Sequence, residues 1–144
     1  EISMERLERG RFRATNARGA TLDLGGGETD FSPVELLLAA IAGCSALDVD
    51  ALTSKRAEAV SFRVVAGGEK IRDGYGANRM IDLVLDFEVA FPDGAEGDAA
   101  RAVLPDAMAK SHDRLCTVTR TVEDGTEVGV RDGEGRHLRD GAWV

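Results

Sequence analysis

The stretch "FSPVELLLAAIAGCSALDVD", residues 31–50, carries a clear helix-start signal and the first of two cysteines. Ser32 fits the N-cap position, Pro33 the first helical position and Glu35 the third, which together make a capping box. Phe31 and the leucine at position 36 have the spacing of a hydrophobic staple around that start. The pattern predicts a helix from Pro33 to about residue 56.

The first half of this helix has no polar side. Residues 36–44 are Leu, Ala, Ile, Gly and Cys only, whereas a surface helix keeps a polar stripe. We therefore expect a central helix that is buried all round in its first half. Asp48, Asp50 and Lys55 make its second half amphipathic.

Alternating patterns on both sides of the helix predict strands. "RFRATN" (11–16) and "ATLDL" (20–24) read as a hairpin of two half-buried strands joined by residues 16–19. After the helix, "AVSFRVV" (59–65) alternates apolar residues expected to point inward, namely Val60, Phe62 and Val64. "MIDLVLDFEVAF" (80–91) is the cleanest strand pattern.

The remaining segments predict a Gly-rich connection over 66–79, a second helix after residue 97 and a last strand at "GTEVGVRD" (125–132). Apolar residues at helical spacing support the second helix, and Pro105 should kink it. If the helical register persists, Cys116, eight positions after Met108, lies on the same buried stripe. Strands around two helices predict an α+β fold in which an antiparallel sheet packs on the central helix, in a single domain of residues 1–144.

Composition limits the function classes. The formal net charge of −8 argues against binding to nucleic acid or to an anionic membrane, since both present phosphate. We see no run of about 18 apolar residues for a membrane span, and the charged start lacks the apolar core of a signal peptide. A cytoplasmic protein is expected.

The two cysteines, Cys44 and Cys116, are separated by 72 positions. With two histidines and no closely spaced ligand pair, the sequence predicts no metal site, and a structural disulfide is disfavoured in a reducing compartment. Each cysteine could simply pack in the core, as free cysteines usually do, or the two could meet and carry redox chemistry.

A catalytic Cys44 would need a cation nearby. An apolar helix interior raises a thiol pKa, and the helix dipole fades within the first turn, about two turns before Cys44. Asp48, one turn further along, would oppose ionisation if it stayed charged and close. Arg11 and Arg13, which share a face of an early strand, are the candidate activators, although either could belong to a solvated strand face.

Two segments resemble the signatures of the OsmC/Ohr family, the osmotically inducible and organic hydroperoxide resistance proteins. "SPVELLLAAIAGCSALDVDALTSKR" (32–56) is similar to the family's cysteine-bearing helix, and "AKSHDRLCTVTRTV" (109–122) to its second cysteine segment. The resemblance covers about residues 10–131 and implies an OsmC-like fold in an intertwined homodimer, with active sites at the subunit interface. Such an interface would also cover the apolar half of the central helix.

The resemblance also implies reduction of organic hydroperoxides without a bound cofactor or metal. It makes Cys44 the peroxidatic cysteine and Cys116 the resolving cysteine of a disulfide that an external dithiol reduces, typically lipoyl-linked in the Ohr branch. Arg11 is the first candidate for the activating arginine, and Arg13 is the alternative.

One position departs from the Ohr pattern. Ohr proteins pair the arginine with a Glu immediately after the helix-start proline, where this chain has Val34. Glu35 lies about 100° further round the helix, and its capping role already accounts for it. The chain therefore resembles a less characterised OsmC-like branch. The alternative function is a non-catalytic, stress-associated or small-molecule-binding dimer on the same scaffold.

Overall fold

Seven strands, three α-helices and one π-helical turn follow one another in the computed structural model, which describes all of residues 1–144. The antiparallel sheets and helices confirm the α+β class. In chain order the elements are β1 (Ile2–Glu8), β2 (Arg11–Asn16), β3 (Thr21–Gly25), α1 (Pro33–Thr53), β4 (Ser61–Arg72), β5 (Asn78–Ala90), α2 (Ala95–Lys110), the π-turn (Ser111–Leu115), α3 (Thr117–Glu123), β6 (Leu138–Arg139) and β7 (Ala142–Trp143).

The N-terminal sheet has the order β1-β2-β3, and every pairing in it is antiparallel. The predicted β2–β3 hairpin is confirmed, while β1 was not anticipated. Cross-strand pairs such as Met4↔Ala14 and Ala14↔Leu22 place the apolar residues on one face. Arg13 pairs with Asp23 on the other face, which is polar. The rest of the chain hardly touches this sheet, so its apolar face is largely exposed.

Helix α1 begins with the predicted capping box. The Glu35 backbone N–H donates to the Ser32 hydroxyl at 3.2 Å, and the Ser32 N–H donates to the Glu35 carboxylate at 2.7 Å. The helix ends at Thr53, about three residues earlier than predicted. The Thr53 hydroxyl there donates to the Val49 carbonyl.

The prediction that α1 is buried all round is wrong for a single chain. One stripe at a four-residue spacing is buried: Ile41, Ser45, Val49 and Thr53. The opposite side, which includes Gly43 and Leu47, is exposed, and Leu47 is 74% exposed. The reason is that α2, β4, the π-turn and α3 together cover only one side of the helix.

Our sequence-based view that no segment is long and apolar enough for a membrane also needs correction. By length and composition alone α1 passes that test, with a mean hydropathy of 1.7, because most of its residues are apolar and few are charged. The same test is passed by core helices of soluble proteins, so it is weak evidence for a membrane span.

A long hairpin of β4 and β5 packs on α1. The inward face of β5 is confirmed from Ile81 to Val89. The rings of Phe62 and Phe87 pack edge to face, with 6.2 Å between their centroids. The predicted Gly-rich connection over 66–79 is confirmed only for the turn at 73–77, because β4 continues to residue 72 and accommodates Gly67 and Gly68 at an irregularity between Gly67 and Glu69. Val60 is also wrong as an inward residue: it precedes β4 and is 68% exposed.

Helix α2 runs through Pro105 to Lys110 and continues into the π-turn. Cys116 is buried as predicted, but it follows the π-turn and is the N-cap of α3, a helix that was not anticipated. The predicted last strand at 125–132 is wrong. Only an isolated bridge between Arg131 and His137 forms there, and the short β6–β7 hairpin lies beyond it.

The chain alone has a small core. Only 12 of 144 residues are buried, few for a chain long enough to bury most of its unfolded surface. The exposed side of α1 and the apolar face of the N-terminal sheet therefore have little cover within the chain.

Candidate functional site

The fold brings the two cysteines together. One ligand atom each from Cys44, Asp48 and Cys116 lies within 4.8 Å of the other two, although Cys44 and Cys116 are 72 positions apart. Both thiols are free, Cys44 being half-buried and Cys116 fully buried. A disulfide would require the two sulfurs, which lie within 4.8 Å of each other, to approach to roughly 2.05 Å.

The π-turn and α3 fix the position of Cys116. Its backbone N–H donates to the Ser111 carbonyl at 2.8 Å, which closes the π-turn. Its Sγ then accepts the Thr119 backbone N–H at 3.4 Å, as a serine hydroxyl would at an N-cap. The sulfur is thus held at the start of α3 and faces the side of α1 that carries Cys44.

The pKa of the Cys116 thiol is lowered. Burial is the largest single influence and acts to raise it, but hydrogen bonds from Ser45, from the Thr119 hydroxyl and backbone, and from Cys44 outweigh burial. Apart from this approach to Cys116, the buried Thr119 hydroxyl forms no hydrogen bond of normal geometry. It is therefore a free donor for a thiolate at position 116.

The pKa of the Cys44 thiol is raised. The largest influence, the Val118 backbone N–H, lowers it, but desolvation, Cys116 and Asp48 together act in the opposite direction. Asp48 thus opposes ionisation of Cys44, as its one-turn spacing predicted. Between the two thiols, the buried Cys116 is the easier to ionise and the half-buried Cys44 is the easier to reach.

Asp48 also links α1 to the π-turn. The Ser111 hydroxyl, which is buried, donates to the Asp48 carboxylate at 3.0 Å across 63 positions of sequence. Asp48 takes part in none of the chain's ion pairs, which are formed by other carboxylates. A carboxylate beside two thiols thus has one hydroxyl donor and no cation.

The two arginines lie elsewhere in the chain, on the polar face of β2. Arg11 binds Asp30 at 2.6 Å and Asp23 at 3.2 Å, while Arg13 binds Asp23 at 2.7 Å. These carboxylates raise the pKa of both guanidinium groups, with Asp30 the main cause for Arg11 and Asp23 for Arg13. Neither arginine is among the groups that shift the pKa of Cys44 within one chain.

A mostly apolar cavity of about 520 Å³ lies between α1, the β4–β5 hairpin and α3. Ser45 and Thr119, two of the groups that hydrogen-bond Cys116, are part of its wall, and His112 and Glu123 are further polar wall residues. The Cys116 sulfur is therefore next to two hydroxyl-bearing side chains of the cavity wall.

Sequence reasoning named the cysteines but missed three partners of Cys116: Ser45, Ser111 and Thr119. Ser45 could have been found, because it follows Cys44 and lies on the buried stripe of α1. Ser111 carried a weaker signal, its place at helical spacing on the second helix. Thr119 carried none, since "TVTRTV" is rich in β-branched residues that favour strands.

Comparison with known proteins identifies the family of the chain. A family model described as OsmC-like protein matches residues 25–131. No curated protein matches the chain. One solved structure from structural genomics is 27% identical, with a TM-score of 0.71 over 86% of this chain and 89% of the other.

Two more distant structures share the fold. An OsmC-like protein of unknown function from Vibrio cholerae is 16% identical, with a TM-score of 0.69 over 85% of this chain and 94% of that one. The organic hydroperoxide resistance protein OhrB of Bacillus subtilis is 15% identical, with a TM-score of 0.53 over 84% and 88%. The family match over most of the chain shows that this protein belongs to the OsmC-like family.

Proposed function

We propose that the protein is a thiol-dependent peroxidase that reduces organic hydroperoxides or H₂O₂. The observation that carries the proposal is the meeting of the chain's only two cysteines, one half-buried and one fully buried, within 4.8 Å. Family membership supports it, since the family contains proteins named for organic hydroperoxide resistance.

The proposed catalytic cycle has three steps. The Cys44 thiolate attacks the peroxide O–O bond, so that sulfur becomes a sulfenic acid and the alcohol, or water from H₂O₂, leaves with a proton. Cys116 then attacks that sulfur, a disulfide forms and water is lost. An external dithiol gives two electrons and two protons to regenerate both thiols, and a lipoyl-type dithiol is our first candidate. No bound cofactor is required.

Exposure decides which cysteine meets the peroxide. Cys116 is fully buried, whereas Cys44 is partly accessible, so Cys44 is the attacking residue even though its pKa is raised. The closeness of the two thiols, within 4.8 Å, offers a route for activation, because a thiolate at Cys116 can take the proton from Cys44. The Val118 backbone N–H then stabilises the charge at Cys44.

A homodimer would complete the site. In one chain the N-terminal sheet that carries Arg11 and Arg13 stands apart from the cysteines, and its apolar face is exposed. In an intertwined dimer this sheet would cover the second subunit and bring Arg11, or alternatively Arg13, towards Cys44. We also keep a cytoplasmic location, without nucleic-acid or membrane partners, as part of the proposal.

Counting free thiols before and after one equivalent of cumene hydroperoxide or H₂O₂ tests the proposal. The wild type should lose both thiols and, with excess peroxide and a dithiol, turn over. Cys44→Ser should lose turnover completely, and Cys116→Ser should accumulate a sulfenic acid at residue 44 that dimedone traps. Arg11→Lys and Arg13→Lys, assayed in parallel, identify the activating arginine by the larger fall in rate.

The alternative function, a non-catalytic stress-associated or small-molecule-binding dimer, is favoured by one observation, the mostly apolar cavity of about 520 Å³. It predicts that native thiols stay unchanged with every peroxide tried. That result would exclude the peroxidase and leave ligand binding in the cavity as the function.

A further inference from the structure

The cluster of Cys44, Asp48 and Cys116 is also a set of metal ligands. Two thiols and one carboxylate offer three donor atoms within 4.8 Å of one another. In a tetrahedral zinc site with Zn–S bonds of about 2.3 Å, the ligand sulfurs lie roughly 3.8 Å apart. The cluster therefore needs movements of about 1 Å or less to surround a Zn²⁺ ion.

The surroundings of Asp48 have the features of a metal ligand. Metal-binding carboxylates are usually oriented by a hydrogen bond from a second group, and the buried Ser111 hydroxyl supplies one here. No cation of the chain pairs with Asp48. Ionised thiols beside an unpaired carboxylate repel one another, and a divalent cation would convert that repulsion into attraction.

The exposure of the three ligands suggests the shape of the site. Within one chain Cys116 is fully buried while Cys44 and Asp48 are half-buried, so one side of the cluster is accessible. Catalytic zinc sites have this arrangement: three protein ligands and a fourth position that water occupies. Sulfur ligands favour Zn²⁺ over harder ions such as Mg²⁺.

We infer that the reduced protein binds one thiophilic divalent cation, Zn²⁺ or a close analogue, through Cys44, Asp48 and Cys116. This inference departs from the sequence-based expectation of no metal site, which relied on ligand spacing along the chain and not on ligands that the fold assembles. The site does not depend on peroxidase activity. If that activity exists, Zn²⁺ and peroxide compete for the same sulfurs, and Zn²⁺ protects them from oxidation.

Titration of metal-free, reduced protein with Co²⁺ and then Zn²⁺, without oxygen or peroxide, tests the inference. We expect one Co²⁺ per chain with a sulfur-to-cobalt charge-transfer band and the visible bands of a tetrahedral site, both lost when Zn²⁺ displaces Co²⁺. Cys44→Ser should abolish the charge-transfer band or reduce it strongly. Asp48→Asn should weaken binding about tenfold or more, and Ser111→Ala about ten- to hundredfold.

Asp50→Asn is the matched control, because Asp50 is an exposed carboxylate two positions from Asp48 on the same helix, and it should bind Co²⁺ as the wild type does. Circular dichroism of each metal-free variant separates loss of ligand from loss of fold. A wild type without a thiolate charge-transfer band, or a folded Asp48→Asn variant with unchanged affinity, would overturn the inference. Since no peroxide is present, neither result bears on the peroxidase proposal.

Discussion

At the residue scale, the two cysteines show what a single sequence can and cannot establish. Burial patterns placed both in the interior, but their meeting was expected only from the family resemblance. What holds Cys116 in place is a π-turn and the short helix α3, and the β-branched residues of α3 carry no helix signature. The direction in which each thiol pKa is shifted depends on interactions between these elements, such as that of Ser45 with Cys116. No local sequence pattern contains such interactions.

His112 allows a pH-dependent prediction at this scale. Hydrogen bonding to Asp113 is the main cause that raises its pKa above 6.5, and Glu123 also contributes. A group whose pKa is raised on folding stabilises the folded protein. This contribution is fully present when the pH is below the unfolded-state pKa, and it is lost as the pH rises through the folded-state pKa. His112→Gln should therefore destabilise the protein at about pH 5.5 and have a smaller effect at about pH 8.5.

Urea unfolding of both proteins at the two pH values measures this. His112 is largely exposed, so the difference should stay below about 1 kcal/mol. An equal loss at both pH values for His112→Gln would assign the effect to packing instead of charge.

At the element scale, the start of α1 was predictable because every signal is local. Ser32, Pro33 and Glu35 act within one turn, and their hydrogen bonds are those of the predicted capping box. The end of the chain was not predictable in this way. The apolar alternation at 125–132 is typical of a strand, but a strand forms only beside a partner, and the strands of the larger sheets pair elsewhere.

Ser32→Ala should destabilise the protein by about 1 kcal/mol, because it leaves an N–H of the first turn of α1 without its acceptor. Ser32→Asp keeps an acceptor and should retain most of the stability. Thermal unfolding of the three proteins is the measurement. Equal melting temperatures for wild type and Ser32→Ala would mean that the cap contributes nothing to α1.

Gly97→Ala should be destabilising, although Ala is the better helix former. Gly97 is buried in the first turn of α2, and a Cβ atom there would overlap the Pro92 carbonyl oxygen. The backbone between the two residues would have to shift, at a cost of about 1–3 kcal/mol. Chemical denaturation measures this, and a gain in stability, as helix propensity alone predicts, would contradict the close contact.

At the scale of the whole molecule, the exposed apolar surface is the main feature that one chain leaves unexplained. The N-terminal sheet exposes Ile2, Met4 and Leu22, and α1 exposes Leu47. The sequence predicted α1 as a buried core helix, and that prediction fails only because one chain supplies cover on one side. A second copy that covers both faces would satisfy the sequence pattern and the small core together.

Leu47→Asp therefore tests the homodimer directly. Leu47 is 74% exposed on α1 in one chain. If a second subunit covers it, a buried aspartate there would have no partner, and the dimer should dissociate at concentrations where the wild type remains dimeric. Sedimentation velocity over a range of protein concentrations measures the change. Val128→Asp is the matched control, since Val128 is 88% exposed outside any helix or strand and should leave the assembly intact. A wild type that sediments as a monomer throughout that range would contradict the dimer, and with it the route by which Arg11 or Arg13 is proposed to reach Cys44.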